Sequence, residues 1–297
     1  MERGKKSLEA GFIWELTMAP CMESITRKSL LYKTRVEYGD YTINHIEGCA
    51  HGCRYPCYAM LMSRRFGRIK TYSDWLRPKI VSNWRNLLEA EIPRMRKKIK
   101  SVHLCFMSDP FMLGFPPVIS TSLDIIQMLN EKGIKVTTLT KGLYPDYLLD
   151  YGINPNNEYG ISLVSTDSSF YERFEPFAAK WFLRIRGLER LKKDGAFTWV
   201  SVEPYPTPDL IRQNIFNLLN RISFADRIIF GKLNYNAQST TSTKHQEYYN
   251  ELCLTVKEFC ERRNIEIIIK RGTFTGRVMH LREVSTCPVK PAYVPAD

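Results

Sequence analysis

The sequence predicts an α/β fold: a parallel sheet covered by helices, open or closed into a full or partial (β/α) barrel. Three observations carry this expectation. Short β-rich runs alternate with longer helical patterns six times along the 297 residues, the pattern of a parallel sheet whose crossovers are helices. A chain of this length makes either two ordinary domains or one α/β barrel. No internal repeat or low-complexity tract breaks the alternation, and 44% hydrophobic residues supply a sizeable core.

The first candidate strand is YTINHI (41–46), rich in β-branched and aromatic residues. A helical stretch over 78–100 leads to SVHLCFM (101–107), and a second over 120–133 leads to KVTTLT (135–140). YGISLV (159–164) is followed by a helix over 178–195, then by FTWVSV (197–202). A helix over 208–223 precedes RIIFGKL (227–233), and one over 245–264 precedes a seventh run, IEIIIK (265–270). The helices ending at Gly133 and Gly195 stop on glycine after a basic last turn, the expected helix terminator. In such a sheet, functional side chains gather at the C-terminal ends of the strands and in the loops that follow.

Charge narrows the partners. Lys plus Arg number 43 against 31 Asp plus Glu, a formal net charge of +12, which favours anionic partners and nucleic acid first. The clusters at 94–100 and 262–272 read as solvated element ends. No apolar run approaches the ~18 residues of a membrane span. Glu15 interrupts the short apolar stretch near the start, a poor secretory signal, so a cytoplasmic chain is expected.

Eight cysteines without a signal peptide do not make a disulfide scaffold. Three of them, Cys49, Cys53 and Cys57, lie in GCAHGCRYPCYAM directly after the first strand. Spacings of four would place them on one face of a buried helix. Gly48, Gly52 and Pro56 in the same run argue instead for a loop that wraps three thiolates around a soft metal centre. Three thiolates suit an iron–sulfur cluster with one open iron. His51 would complete a four-ligand zinc site, and both readings stand at this point.

This segment resembles the radical S-adenosylmethionine (SAM) signature, Cys-x3-Cys-x-aromatic-Cys. Tyr55 stands at the aromatic position and Pro56 reads as one inserted residue between Cys53 and Cys57. The resemblance runs over residues 37 to 235 and points to the branch containing spore photoproduct lyase and its bacterial, archaeal and phage relatives. Ser108-Asp109-Pro110-Phe111 matches the segment closing the second strand of that branch, and Thr140-Lys141 the end of the third. Ser162, Ser165, Thr166 and Asp167 match the loop after the fourth, followed by Glu175-Pro176 and Arg184. Ser201-Val202-Glu203-Pro204 and Gly231-Lys232-Leu233-Asn234 match the fifth and sixth.

The resemblance implies a partial (β/α)6 TIM-like barrel of the radical SAM type over 37–270, with an N-terminal extension at 1–36 and a C-terminal tail at 271–297. It implies a [4Fe-4S] cluster on Cys49, Cys53 and Cys57, and cleavage of SAM to a 5′-deoxyadenosyl radical. It further implies Asp109 near the SAM amine with Ser108 alongside, Lys141 and Arg184 near its carboxylate, Ser162 as a hydrogen-bonding group and Tyr55 beside the cofactor. Cys105 shares a predicted strand face with His103 and Met107, and the branch places a hydrogen-atom-donating cysteine near this strand end. Otherwise Cys105 is a small buried hydrophobe. Glu175 and Glu203 would orient the pocket or cap turns, and Tyr205 and Tyr235 either stack on a base or are core or rim residues. The implied partners are a nucleic-acid or nucleotide substrate, for lesion repair or base modification, and an electron donor such as flavodoxin or ferredoxin. A radical SAM enzyme on a peptide or small metabolite, and a non-catalytic zinc module, are the competing classes.

Overall fold

The computed structural model describes residues 22–36, 38–55, 57–234 and 243–276. Two short strands, β1 (Ser24–Ile25) and β2 (Leu31–Lys33), precede β3 (Tyr41–Ile43) and β4 (Ile46–Glu47). Then come α1 (Tyr58–Arg65), α2 (Tyr72–Trp75), β5 (Lys79–Val81) and α3 (Trp84–Met95). The alternation proper follows with β6 (Ser101–Leu104), α4 (Pro116–Glu131), β7 (Lys135–Thr140), α5 (Leu148–Tyr151) and β8 (Glu158–Ser162). Two helices, α6 (Ser168–Phe174) and α7 (Trp181–Lys193), lead to β9 (Phe197–Tyr205). The described chain closes with α8 (Ile215–Arg221), β10 (Arg227–Lys232), α9 (Thr243–Arg262) and β11 (Glu266–Ile269).

The main sheet runs β11-β10-β9-β8-β7-β6-β3-β2, and its two end strands do not pair with each other. Every neighbour is parallel except β2, which lies antiparallel on β3. The expected partial barrel is therefore present, with β11 as the seventh parallel strand. β2 falls inside the stretch set apart as an extension, yet it is hydrogen-bonded to the sheet edge. A small second sheet, β1-β5-β4, stands beside it. No helix among the described residues is long and apolar enough to cross a membrane.

Register sorts the side chains of the strands. Val102, Leu104, Val136, Val200, Val202, Ile228 and Phe230 are buried in the large core cluster that also holds helix residues such as Leu129, Leu188 and Val256. The alternate residues point into the barrel. A Cβ on Gly160 would sit 2.3 Å from the Trp199 ring, so the indole lies flat across β8 only because that position has no side chain. At the N-terminal end of the strands, Glu158 pairs with Lys135 and, at 2.7 Å, with Arg227, which also reaches Glu266 at 2.9 Å. The C-terminal ends carry the predicted site residues.

Four expectations need correction. YTINHI splits at Asn44, because Ile46 leaves the main sheet to pair with Ile80 of β5. The predicted helix over 78–100 begins six residues late: Lys79–Val81 form β5, and the helix starts at Trp84 after Asn83. The helix over 208–223 starts at Ile215, where the Asn214 side chain caps the Phe216 N–H at 2.9 Å. SVHLCFM stops being a strand at Leu104, since Cys105 adopts φ +63. Cys105 therefore does not continue the face of His103.

Candidate functional site

The three cysteines lie on the loop between β4 and α1, with Cys57 as the residue that starts the helix. The loop reading holds over the helical one. Gly48 and Gly52 take φ +83 and +60, and a Cβ on Gly48 would lie 3.0 Å from two carbonyl oxygens, those of Trp75 and Arg77. Backbone bonds anchor the loop on both sides. Cys49 N donates to Trp75 O at 2.8 Å, and Arg54 N donates to Phe174 O at 2.8 Å. Pro56 lies outside the described residues.

Cys53 is buried, and Cys49 and Cys57 are half-buried; all three are unbridged thiols. Burial pushes the Cys53 thiol up to about 12, against the opposing pull of Lys141. Burial also raises Cys49, with the neighbouring Asp109, Cys53 and Cys57 adding to it, so the three sulfurs lie within electrostatic reach of one another. Among the described residues no three His, Cys, Asp or Glu side chains are arranged to hold a metal ion. His51 is committed elsewhere. Leu113 N donates to its Nε2 at 3.1 Å, which leaves the ring hydrogen on Nδ1, 3.3 Å from Asp109 Oδ2. His51 is thus withdrawn as a fourth zinc ligand, and the three thiols are the soft donor type that an iron–sulfur cluster with one open iron takes.

Asp109 sits just past β6 and is buried. Its Oδ1 accepts from Thr140 Oγ1 at 2.6 Å and from Phe111 N at 2.9 Å; its Oδ2 accepts from Lys141 N at 2.7 Å. Burial pushes the carboxyl up, but His51, the Lys141 N–H and the Thr140 hydroxyl outweigh it and hold the group below the usual carboxylate range. Both oxygens are therefore spent within the chain. Asp109 ties the β6 loop to the end of β7 and to the cysteine loop. Ser108 makes a parallel tie, its hydroxyl donating to Gly48 O.

A second knot joins β7, α6 and α7. Glu175 is 3% exposed; its Oε1 pairs with Lys141 Nζ and its Oε2 with Arg184 at 2.7 Å. Burial pushes Glu175 up, yet the two cations prevail and hold it at about 2. The Arg184 side chain is fully enclosed: Nε donates to Ala179 O at 2.7 Å and a terminal nitrogen donates to Ser162 O at 2.9 Å. Arg184 thus braces Glu175 and the end of β8. Lys141 keeps 20% of its side chain exposed beside Cys53, and Ser162 ends β8 on the same rim.

Tyr55 is 2% exposed, its hydroxyl donating to Pro204 O at 2.7 Å and its ring packed on Phe170 and Phe174. It pins the cysteine loop to the end of β9. Tyr205 is buried in the core, and Tyr235 lies outside the described residues. Cys105 is buried with Ile46, Met112 and Val118 in a cluster that Cys49 and Ala50 pack against, and its sulfur lies 3.4 Å from His45 Nδ1. Lys270, at the head of the basic run 270–277, reaches Glu203 at 3.5 Å.

No protein-family model matches the chain, and no curated protein matches it. Solved structures do. Spore photoproduct lyase complexed with dinucleoside spore photoproduct aligns with a TM-score of 0.63 at 14% identity, over 82% of this chain and 81% of that one. A variant of the same enzyme with bound AdoMet and dinucleoside spore photoproduct aligns with a TM-score of 0.62 at 15% identity, over 84% and 81%. The chain thus has the fold of spore photoproduct lyase.

Proposed function

We propose that this chain is a radical SAM enzyme acting on nucleic acid or a nucleotide. The observation that carries the reading is three thiols on one glycine-relieved loop, at the strand-end mouth of an open barrel, with His51 withdrawn into a bond with Asp109. A [4Fe-4S] cluster held by Cys49, Cys53 and Cys57 would supply the electron that cleaves SAM to a 5′-deoxyadenosyl radical.

The chain's own residues divide the remaining work. Lys141 is the cation with exposed surface beside Cys53, so it would meet the ligand carboxylate, held in place by Glu175. Arg184 fixes Glu175 and the end of β8, where Ser162 would offer a hydrogen bond. Asp109 and Ser108 are positioning residues that keep the cysteine loop against the strand ends. Tyr55 closes the inner side of that loop. Cys105 packs against that loop through Cys49 and Ala50.

The nucleic-acid substrate rests on the +12 charge and on the dinucleoside spore photoproduct complexed with the lyase of the same fold. A low-potential donor such as flavodoxin or ferredoxin would deliver the electron. The test is anaerobic reconstitution with iron and sulfide, reduction, and addition of SAM. A SAM-perturbed [4Fe-4S] resonance together with 5′-deoxyadenosine, both lost in Cys53→Ala, is the expected result. Stoichiometric zinc without iron, or a cluster indifferent to SAM, refutes the proposal.

A further inference from the structure

The end of α1 carries a feature that the cysteine site does not use. Arg64, Arg65, Arg68 and Lys70 are all exposed, and none forms an ion pair among the described residues. Two of them lie in the last turn of α1, where cations complement the helix dipole. The dipole does not account for Arg68 and Lys70, which lie beyond the helix. Nor does it account for Phe66 between them, which is 64% exposed with the Arg68 guanidinium 5.7 Å from its ring centre. A large apolar ring left in water inside a basic run is the combination that single-stranded nucleic acids meet on proteins: cations for the backbone and a flat face for a base.

Beside this run lies a cavity of about 200 Å³, with Phe66, Arg68, Tyr32, Ile46 and Met107 in its wall. Tyr32 is itself 42% exposed. The volume is below the few hundred Å³ of a drug-sized pocket and suits one planar ring system. Its walls come from the segments flanking the cysteine loop and from the residue before Ser108-Asp109, so it opens at the strand-end side of the barrel. A second basic run, Arg94 to Lys100, stands before the first residue of β6 and hence at the opposite end.

We propose that Phe66 and this cavity receive one unpaired base of a single-stranded nucleic acid, with its phosphates running along Arg64, Arg65, Arg68 and Lys70. The strand would be the one that delivers the reacting nucleotide to the barrel mouth, so the inference rests on the reading of the substrate given above. A duplex keeps its bases stacked and paired, and it presents only phosphates to this surface.

The experiment measures anisotropy of a fluorescent single-stranded oligonucleotide over a salt series, on the reconstituted full chain. Phe66 is exposed, so Phe66→Ala leaves the fold intact and is expected to weaken binding ~5-fold or more. Arg68→Ala should lower the slope of log affinity against log salt by about 0.7, one phosphate contact on a single strand. The doubly substituted control Lys97→Ala/Lys98→Ala should bind like the wild type. Wild-type affinity in Phe66→Ala, an equal loss in the control, or no binding by the wild-type chain overturns the proposal. The same preparations are assayed for 5′-deoxyadenosine. Nucleoside formed without strand binding defeats the docking surface alone, and Phe66-dependent binding without the nucleoside defeats the radical chemistry alone.

Discussion

Glu175 should be the side chain whose charge this site can least lose. It is buried between Lys141 and a fully enclosed Arg184, and Glu175→Gln keeps the shape while removing the charge. The depression of its carboxyl from 4.5 to about 2 corresponds to about 3 kcal/mol of stability at neutral pH. Breaking a buried pair from one side costs ~3–5 kcal/mol, because the surviving charge is left uncompensated, and the two figures agree. The pH dependence has a definite sign. A depressed acid contributes fully above its unfolded value near 4.5, and the contribution fades as pH falls toward about 2. Urea denaturation of wild type and Glu175→Gln at pH 7 should therefore show a gap of about 3 kcal/mol that narrows at pH 3. A gap under about 0.5 kcal/mol at pH 7, or one that widens on acidification, refutes the account of this knot.

Other consequences follow from the same geometry. Asp109→Asn turns an acceptor into a donor facing Lys141 N or His51, and should cost ~1–3 kcal/mol with reduced iron retention, read by thermal unfolding and metal analysis. Gly48→Ala forces a Cβ to 3.0 Å from two carbonyl oxygens at φ +83; it should destabilise by more than about 1 kcal/mol and disturb the cysteine loop, seen as lost iron binding. His45 and His103 are both held at about 3 by burial, with Lys270 adding to the effect on His103. The unfolded chain takes up their protons first, so stability should decline as pH falls from about 6.5 toward 3. His103→Gln should lower that slope by about 1.4 kcal/mol per pH unit, measured by denaturation between pH 6 and 4. Cys105→Ala should keep both iron and 5′-deoxyadenosine formation, since the thiol packs below the loop; loss of 5′-deoxyadenosine with full iron content would contradict that placement.

The parts of this molecule that could be read directly from the chain are those set by neighbours in sequence. Strand runs survive because β-branched residues recur within a few positions, and all seven candidate strands occur. The cysteine loop was legible because Gly48 and Gly52 supply the backbone turns that three closely spaced thiols need. Failures occurred where local pattern competed with distant pairing. IVS at 80–82 continues a helical pattern, yet β4 and β1 claim Ile80 as a sheet residue. Cys105 continues the alternation of its strand, yet its φ turns positive where the chain leaves the sheet.

The division of labour at the site has the same cause. The alternation located the strand ends, and the resemblance to the photoproduct lyase branch singled out Lys141, Ser162 and Asp109 on that rim before any coordinates. Which of them keeps a spare hydrogen-bonding group depends on who arrives from elsewhere. Thr140, 31 residues away, consumes one oxygen of Asp109, and Glu175, nine residues before Arg184, encloses that guanidinium. A carboxylate has a limited number of lone pairs and a guanidinium five N–H groups, and only the packed chain reveals how many are already taken. Spacing along the chain located the rim; long-range contacts turned Asp109 and Arg184 into struts and left Lys141 with exposed surface beside Cys53.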